Sequence, residues 1–137
     1  GLIGSVANSI QPKKRMLSSM TPTIILKDEK PFMVIGSPGG STIITQVLQT
    51  IMNVIDFGMN IYDAISVPRI HHQWLPDEIY YENFSLSEDV KKNLIEKGHI
   101  IGPLRSLGRM EGILIDTEKN IFYGTSDPRG FGTAMGY

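Results

Sequence analysis

The sequence has no cysteine among its 137 residues, which removes a disulfide framework, a thiol nucleophile and a zinc–thiolate centre together. It has no surplus of one charge either: 13 Lys and Arg stand against 14 Asp and Glu, a formal net charge of −1. A chain so balanced has no general attraction for nucleic acid or for an acidic membrane, and no nucleic-acid partner is expected. No stretch reaches the roughly eighteen uninterrupted apolar residues that a spanning helix needs. The first thirty residues lack the apolar core of a signal peptide. Repeats, low-complexity tracts and linkers are missing too, so the chain reads as one modest domain. It opens on Gly1 without a Met, and the expectation is a processed product or a piece of a longer polypeptide.

What the chain does contain is a stretch around which the rest can be arranged, Phe32-Met33-Val34-Ile35 followed by Gly36-Ser37-Pro38-Gly39-Gly40-Ser41. The first four residues suit a buried strand, and the Gly and Pro cluster forces a tight turn before an apolar, helix-spaced run from Thr42 to Phe57. Ser41 is expected to cap that helix, and the glycines before it let backbone N–H groups approach a ligand. A helix N-terminus carries unsatisfied N–H groups and a partial positive charge, which suits a carboxylate, a phosphate or a developing oxyanion. A plain structural turn is the competing reading. No Gly-Lys-Ser/Thr closes the loop as a Walker motif would, and Gly36, Gly39 and Gly40 do not follow the dinucleotide-binding order.

Elsewhere the pattern gives elements with few chemical groups. Pro12 to Arg15 is a short basic run that reads as a surface turn. Ile24 to Leu26 and the Phe32 strand, joined by the charged Lys27 to Lys30, make an antiparallel hairpin. That hairpin brings Ser18 and Ser19 toward the sheet end that holds Gly39 and Gly40, where the serines are either turn residues or ligand-binding hydroxyls. In the long helix, Ile44, Val47, Leu48, Ile51 and Ile55 form the expected core stripe, and Gly58 ends it. Asn60 caps a short helix that stops before Pro68, and Glu78 to Glu82 reads as a strand. Ser85 to Glu88 reads as a capping box opening a helix to Lys97, with Leu86, Val90 and Leu94 inward. Residues 112–116 and 120–124 make a second hairpin, and Thr125 to Gly132 a loop in which Asp127 and Arg129 pair structurally. Adjacent His71 and His72 point to opposite sides of an extended chain without a spaced third ligand. They and Trp74 therefore read as packing and hydrogen-bonding residues, and neither a metal nor a cofactor is expected.

Taken in order, the segments 14–23, 36–41, 53–60, 68–76 and 126–129 resemble the C-terminal part of the small subunit of γ-glutamyltranspeptidases. The similarity runs through nearly the whole chain. It implies an α+β fold that is part of an N-terminal nucleophile hydrolase αββα four-layer sandwich, built from one precursor that cleaves itself into large and small subunits. In that family an N-terminal threonine attacks a γ-glutamyl carbonyl with its own amine as base. The resemblance implies that Ser18 and Ser19 hold the substrate α-carboxylate and that Gly39 and Gly40 donate N–H groups to the oxyanion.

The same resemblance places the nucleophilic threonine upstream of Gly1 and the carboxylate-binding arginine in the large subunit. Thr21, Thr23 and Thr42 are internal and offer no free amine. The implied partners are therefore the large subunit and the N-terminal part of the small subunit of the same precursor, with a γ-glutamyl small molecule such as glutathione as substrate. An extracellular or periplasmic location is implied as well. Taken alone, the chain is expected to be inactive and prone to self-association. The alternatives are a catalytically silent interaction module and a piece of a related acylase or poly-γ-glutamate depolymerase.

Overall fold

A computed structural model describes residues 6–16, 18 and 20–136 of the chain. Two sheets carry the fold, and helices flank them. The larger sheet begins with β1 (Thr23–Lys27) and β2 (Lys30–Gly36), the expected antiparallel hairpin, with Thr23 opposite Ile35 and Ile25 opposite Met33. β6 (Glu111–Asp116) and β7 (Ile121–Ser126) form the second expected hairpin, and the sheet runs in the order β1-β2-β6-β7. Its turn is held by Asp116, whose Oδ1 accepts from the N–H groups of Glu118 and Lys119 at 3.1 and 3.0 Å.

Side chains alternate across a strand, so one face of this sheet carries Ile25, Met33, Ile35 and Leu114. Against that face lie α1 (Ile43–Ile55) and α2 (Ile61–Ser66), and the core joins Met33, Ile35, Val54, Ile61, Ala64, Ile65 and Met110. Close approach of α2 depends on Gly112, because a Cβ there would lie 2.7 Å from Ile65 Cδ1. Asn60 caps α2 as expected, its side chain accepting from the Asp63 N–H at 2.9 Å. Gly58, at φ +65°, follows the end of α1.

The smaller sheet contains β3 (Ile70–His71), β4 (Ile79–Tyr81) and β5 (Ile101–Leu104) in that order. β4 runs parallel to β5, and the crossover between them contains α3 (Glu88–Glu96). β5 has no counterpart in the sequence reading, because Gly102 and Pro103 mask its strand pattern.

Four expectations are corrected. Ser41 is not the helix cap: Gly40–Thr42 form a 3₁₀ turn, and Thr42 occupies the α1 N-cap position. The buried face of α1 is Ile43, Gln46, Thr50 and Val54, whereas Ile44, Leu48 and Ile55 of the expected stripe are exposed. α3 is capped at Ser87, buries no residue completely and leaves Val90 exposed, while the Ser85 hydroxyl donates instead to the Glu82 carbonyl at 2.7 Å. Trp74 is not a packing residue, being 75% exposed.

Candidate active site

The turn between β2 and α1 is shaped by two consecutive glycines in the left-handed half of backbone space, Gly39 at φ +147° and Gly40 at φ +59°. A Cβ on Gly39 would lie 2.4 Å from Thr42 Oγ1 and 2.7 Å from Gln46 Nε2, so no other residue fits without moving both. The Gly39 carbonyl turns toward the helix and accepts from the Thr42 N–H at 3.2 Å and the Thr42 hydroxyl at 3.0 Å. Among the described residues, nothing in the chain accepts from the N–H groups of Gly39 or Gly40. The first turn of α1 has no acidic residue, and the Thr42 side chain caps none of the helix's first backbone N–H groups. The turn therefore offers unpaired donors, reinforced by the partial positive charge of a thirteen-residue helix, to an incoming oxygen anion.

The serines are less defined. Ser18 is exposed, and its hydroxyl accepts from the Met20 N–H at 3.2 Å. Ser19 lies outside the described residues. The pairing of Thr23 with Ile35 sets the start of β1 beside the end of β2, so the segment leading from Ser18 and the segment leading to Gly39 share one end of the sheet. No hydrogen bond joins Ser18 to the glycine turn.

Connected to the turn through residues 107–110 is a buried ionic cluster that the sequence reading caught only in part. Asp127 and Arg129 do pair, at 2.9 Å, but Arg69 and Glu82 complete the group. Arg69 is 2% exposed; it meets Asp127 at 2.6 Å and donates to the Leu107 carbonyl at 2.8 Å and to that of Ile65. Arg129 forms a fork on Glu82 through Nε and Nη2, with contacts of 2.8 and 2.6 Å, and Nη2 also reaches the Ser66 and Val67 carbonyls at 3.1 Å. Glu82 also accepts from the Arg69 and Leu107 N–H groups, and Asp127 from those of Met110 and Arg129. Burial alone would raise the Asp127 carboxyl, but the Met110 and Arg129 N–H groups and the two guanidiniums hold it below the usual carboxylate value. For Arg129, burial is likewise outweighed by Glu82 and Asp127, and its pKa rises. Burial prevails at Arg69 and lowers its pKa, with the Asp127 bond opposing. The cluster ties the end of α2, the start of β3, the ends of β4 and β7, and the 107–110 segment into one unit.

That 107–110 segment returns to the glycine turn: the Arg109 N–H donates to Ser37 Oγ at 3.3 Å. The histidines do not converge on it. His71 is buried, with Nδ1 2.7 Å from Thr45 Oγ1 and Nε2 3.0 Å from Gln73 Oε1, and it stacks on Tyr80. His72 meets Asp77 at 2.9 Å on the surface. Among the described residues, no group of three His, Cys, Asp or Glu is arranged to hold a metal.

The family model described as gamma-glutamyltranspeptidase matches residues 2–137. The chain belongs to the γ-glutamyltranspeptidase family. It is 48% identical to the glutathione hydrolase proenzyme of Escherichia coli over 94% of its own length. It is similar in structure to a Helicobacter pylori γ-glutamyltranspeptidase variant, with TM-score 0.86 and 52% identity, covering 95% of this chain and 71% of that one. The Pseudomonas nitroreducens γ-glutamyltranspeptidase complexed with L-DON matches at TM-score 0.85 and 38% identity, over 100% of this chain and 72% of that one. The two sheets flanked by helices match the αββα sandwich of these structures. The chain spans 22% of the length of the Escherichia coli relative.

Within this family member, sequence reasoning missed Gln46, which is 1% exposed and lies directly under the turn. Its amide bonds Ser37 and Thr42, one residue from each side of the Pro38-Gly39-Gly40-Ser41 loop. Arg69 and Glu82 were missed as well. Gln46 is only nine and four positions from Ser37 and Thr42 but reads as one more polar residue of a helix, while Arg69 and Glu82 stand 58 and 47 positions from Asp127 and Arg129 and leave no local signal; the Gly39-Gly40 pair, by contrast, announces its own backbone.

Proposed function

We propose that this chain is the C-terminal portion of the small subunit of an enzyme that transfers or hydrolyses γ-glutamyl groups, such as that of glutathione. In this reading, the remainder of the precursor, a large subunit and the N-terminal part of the small subunit, supplies the threonine nucleophile. The threonine hydroxyl adds to the γ-glutamyl carbonyl carbon and passes its proton to the threonine's own amine. The carbonyl oxygen becomes an oxyanion facing the Gly39 and Gly40 N–H groups, which are preorganised and need not reorient as charge develops. Collapse expels the amine of the leaving group, which takes the proton, and water or an acceptor amine then releases the glutamyl group from the ester. Ser18 and Ser19 hold the α-carboxylate, fixing the γ-carbonyl over the turn. An extracellular or periplasmic setting is part of this reading.

The observation that carries this reading is the pair of unpartnered N–H groups on the Gly39-Gly40 turn at the head of α1. Its test is recognition. In the complete matured precursor, Ser18→Ala or Ser19→Ala is expected to lower kcat/KM about ten- to a hundredfold for a donor with a free α-carboxylate, the loss of a hydrogen bond to a charged group. With the α-amidated donor the loss shrinks. Equal losses on both donors would mean that the serines only shape the loop.

A further inference from the structure

A peptide between two glycines has no Cβ on either side to resist rotation, so the orientation of the Gly39–Gly40 peptide has to be imposed by what it bonds. In a trans peptide the C=O and N–H point in opposite directions, and fixing the Gly39 carbonyl fixes the Gly40 N–H. The Thr42 hydroxyl donates to that carbonyl at 3.0 Å. It has one proton to give, and whether that proton goes to Gly39 depends on what else faces the hydroxyl. Gln46 Nε2 faces it and donates to it, leaving the proton for Gly39.

The orientation of the Gln46 amide is set from the other side. Ser37 Oγ accepts from the Arg109 N–H at 3.3 Å, and its one proton faces two acceptors, Gln46 Oε1 and the Pro38 carbonyl at 2.8 Å. With the Ser37 proton on Gln46 Oε1, all donors run one way, from Arg109 through Ser37, Gln46 and Thr42 to the Gly39 carbonyl. The amide has no room to move: a Cβ at Gly108 would lie 1.9 Å from its Oε1, and one at Gly39 2.7 Å from its Nε2. Gln46 is also one of the two polar residues on the buried face of α1, where an apolar residue would otherwise pack.

We propose that Gln46 is a positioning residue: through the Thr42 hydroxyl it locks the Gly39–Gly40 peptide with the Gly40 N–H turned toward the reacting carbonyl oxygen. This rests on the reading of Gly39 and Gly40 as oxyanion donors. Gln46 touches no substrate and acts only on the orientation of the peptide.

The test uses the complete matured precursor and steady-state kinetics with a γ-glutamyl donor. Gln46→Glu keeps the shape and the acceptor for Ser37 but replaces the donor to Thr42 with an acceptor, which draws the Thr42 proton away from Gly39. Thr42→Val removes the hydroxyl without adding a charge. Both are expected to lower kcat about ten- to a hundredfold, the scale of a small misplacement of a reacting group, with KM nearly unchanged. Thr42→Ser, which keeps the hydroxyl, restores most of the turnover, and the Gln46→Glu, Thr42→Val double variant loses no more than the worse single one. The proposal is overturned if Gln46→Glu and Thr42→Val keep wild-type kcat in folded, matured enzyme, or if Thr42→Ser is as slow as Thr42→Val. Gly39→Val separates the two readings: slow turnover there with normal turnover at Gln46 and Thr42 removes the positioning role alone. Normal turnover at Gly39→Val removes the oxyanion reading with it.

Discussion

At Gly108 the backbone sits at φ +71° with the Gln46 amide where a side chain would begin. Gly108→Ala therefore adds both backbone strain and overpacking, and a loss of about 1–3 kcal/mol in a denaturant unfolding series is expected for the complete enzyme. Asp127 makes a different demand. Its carboxylate is fully enclosed and bonded by two guanidiniums, so Asp127→Asn leaves buried positive charge uncompensated, and about 3–5 kcal/mol of stability is at stake. The pKa of Asp127 is lower folded than unfolded, so its stabilisation is complete above the ordinary carboxylate range and is lost as pH falls through the folded value. Unfolding midpoints measured downward from neutral pH are expected to fall less steeply in Asp127→Asn than in wild type. The Asp127–Arg129 pair was legible because a single residue separates the charges, whereas Arg69 and Glu82 reach the cluster only once β3 and β4 have paired.

Among the elements, α1 is the most instructive. Its boundaries followed from spacing and from Gly58, yet the face it buries did not. Apolar residues occur almost all round it, and periodicity cannot choose a side when both sides qualify. The chain buries the side with Gln46 and Thr50 against its own sheet and leaves Ile44, Leu48, Met52 and Ile55 outward. A helix that is apolar on two faces is expected to have two neighbours, and only one of them lies within these residues. Leu48→Lys is accordingly expected to leave the far-ultraviolet circular dichroism of the isolated chain unchanged while reducing its association in sedimentation. Unchanged association would show that the stripe is not a contact surface.

For the whole molecule, the same inference holds at the sheet. On the face away from α1 and α2, Ile24, Val34 and Ile113 stand in one row across three strands, with Ile24 64% and Ile113 40% exposed. A sandwich of which only part is in place leaves such a row open, and the chain spans 22% of the length of the Escherichia coli relative. The isolated chain is expected to self-associate on size-exclusion chromatography, and a monomer with a sharp two-state transition would contradict this. The hairpins and the glycine turn were legible because alternation, turn residues and paired glycines are local signals; the layer order and the full ionic cluster depend on distant contacts. The central claim is that the Gly39-Gly40 turn stabilises the oxyanion of γ-glutamyl transfer. Its most direct test is the single-turnover acylation rate of the complete matured enzyme, compared between wild type and Gly39→Val. The account predicts a loss of about a hundred- to a thousandfold, with glutamate affinity little changed. An acylation rate equal to wild type would contradict it.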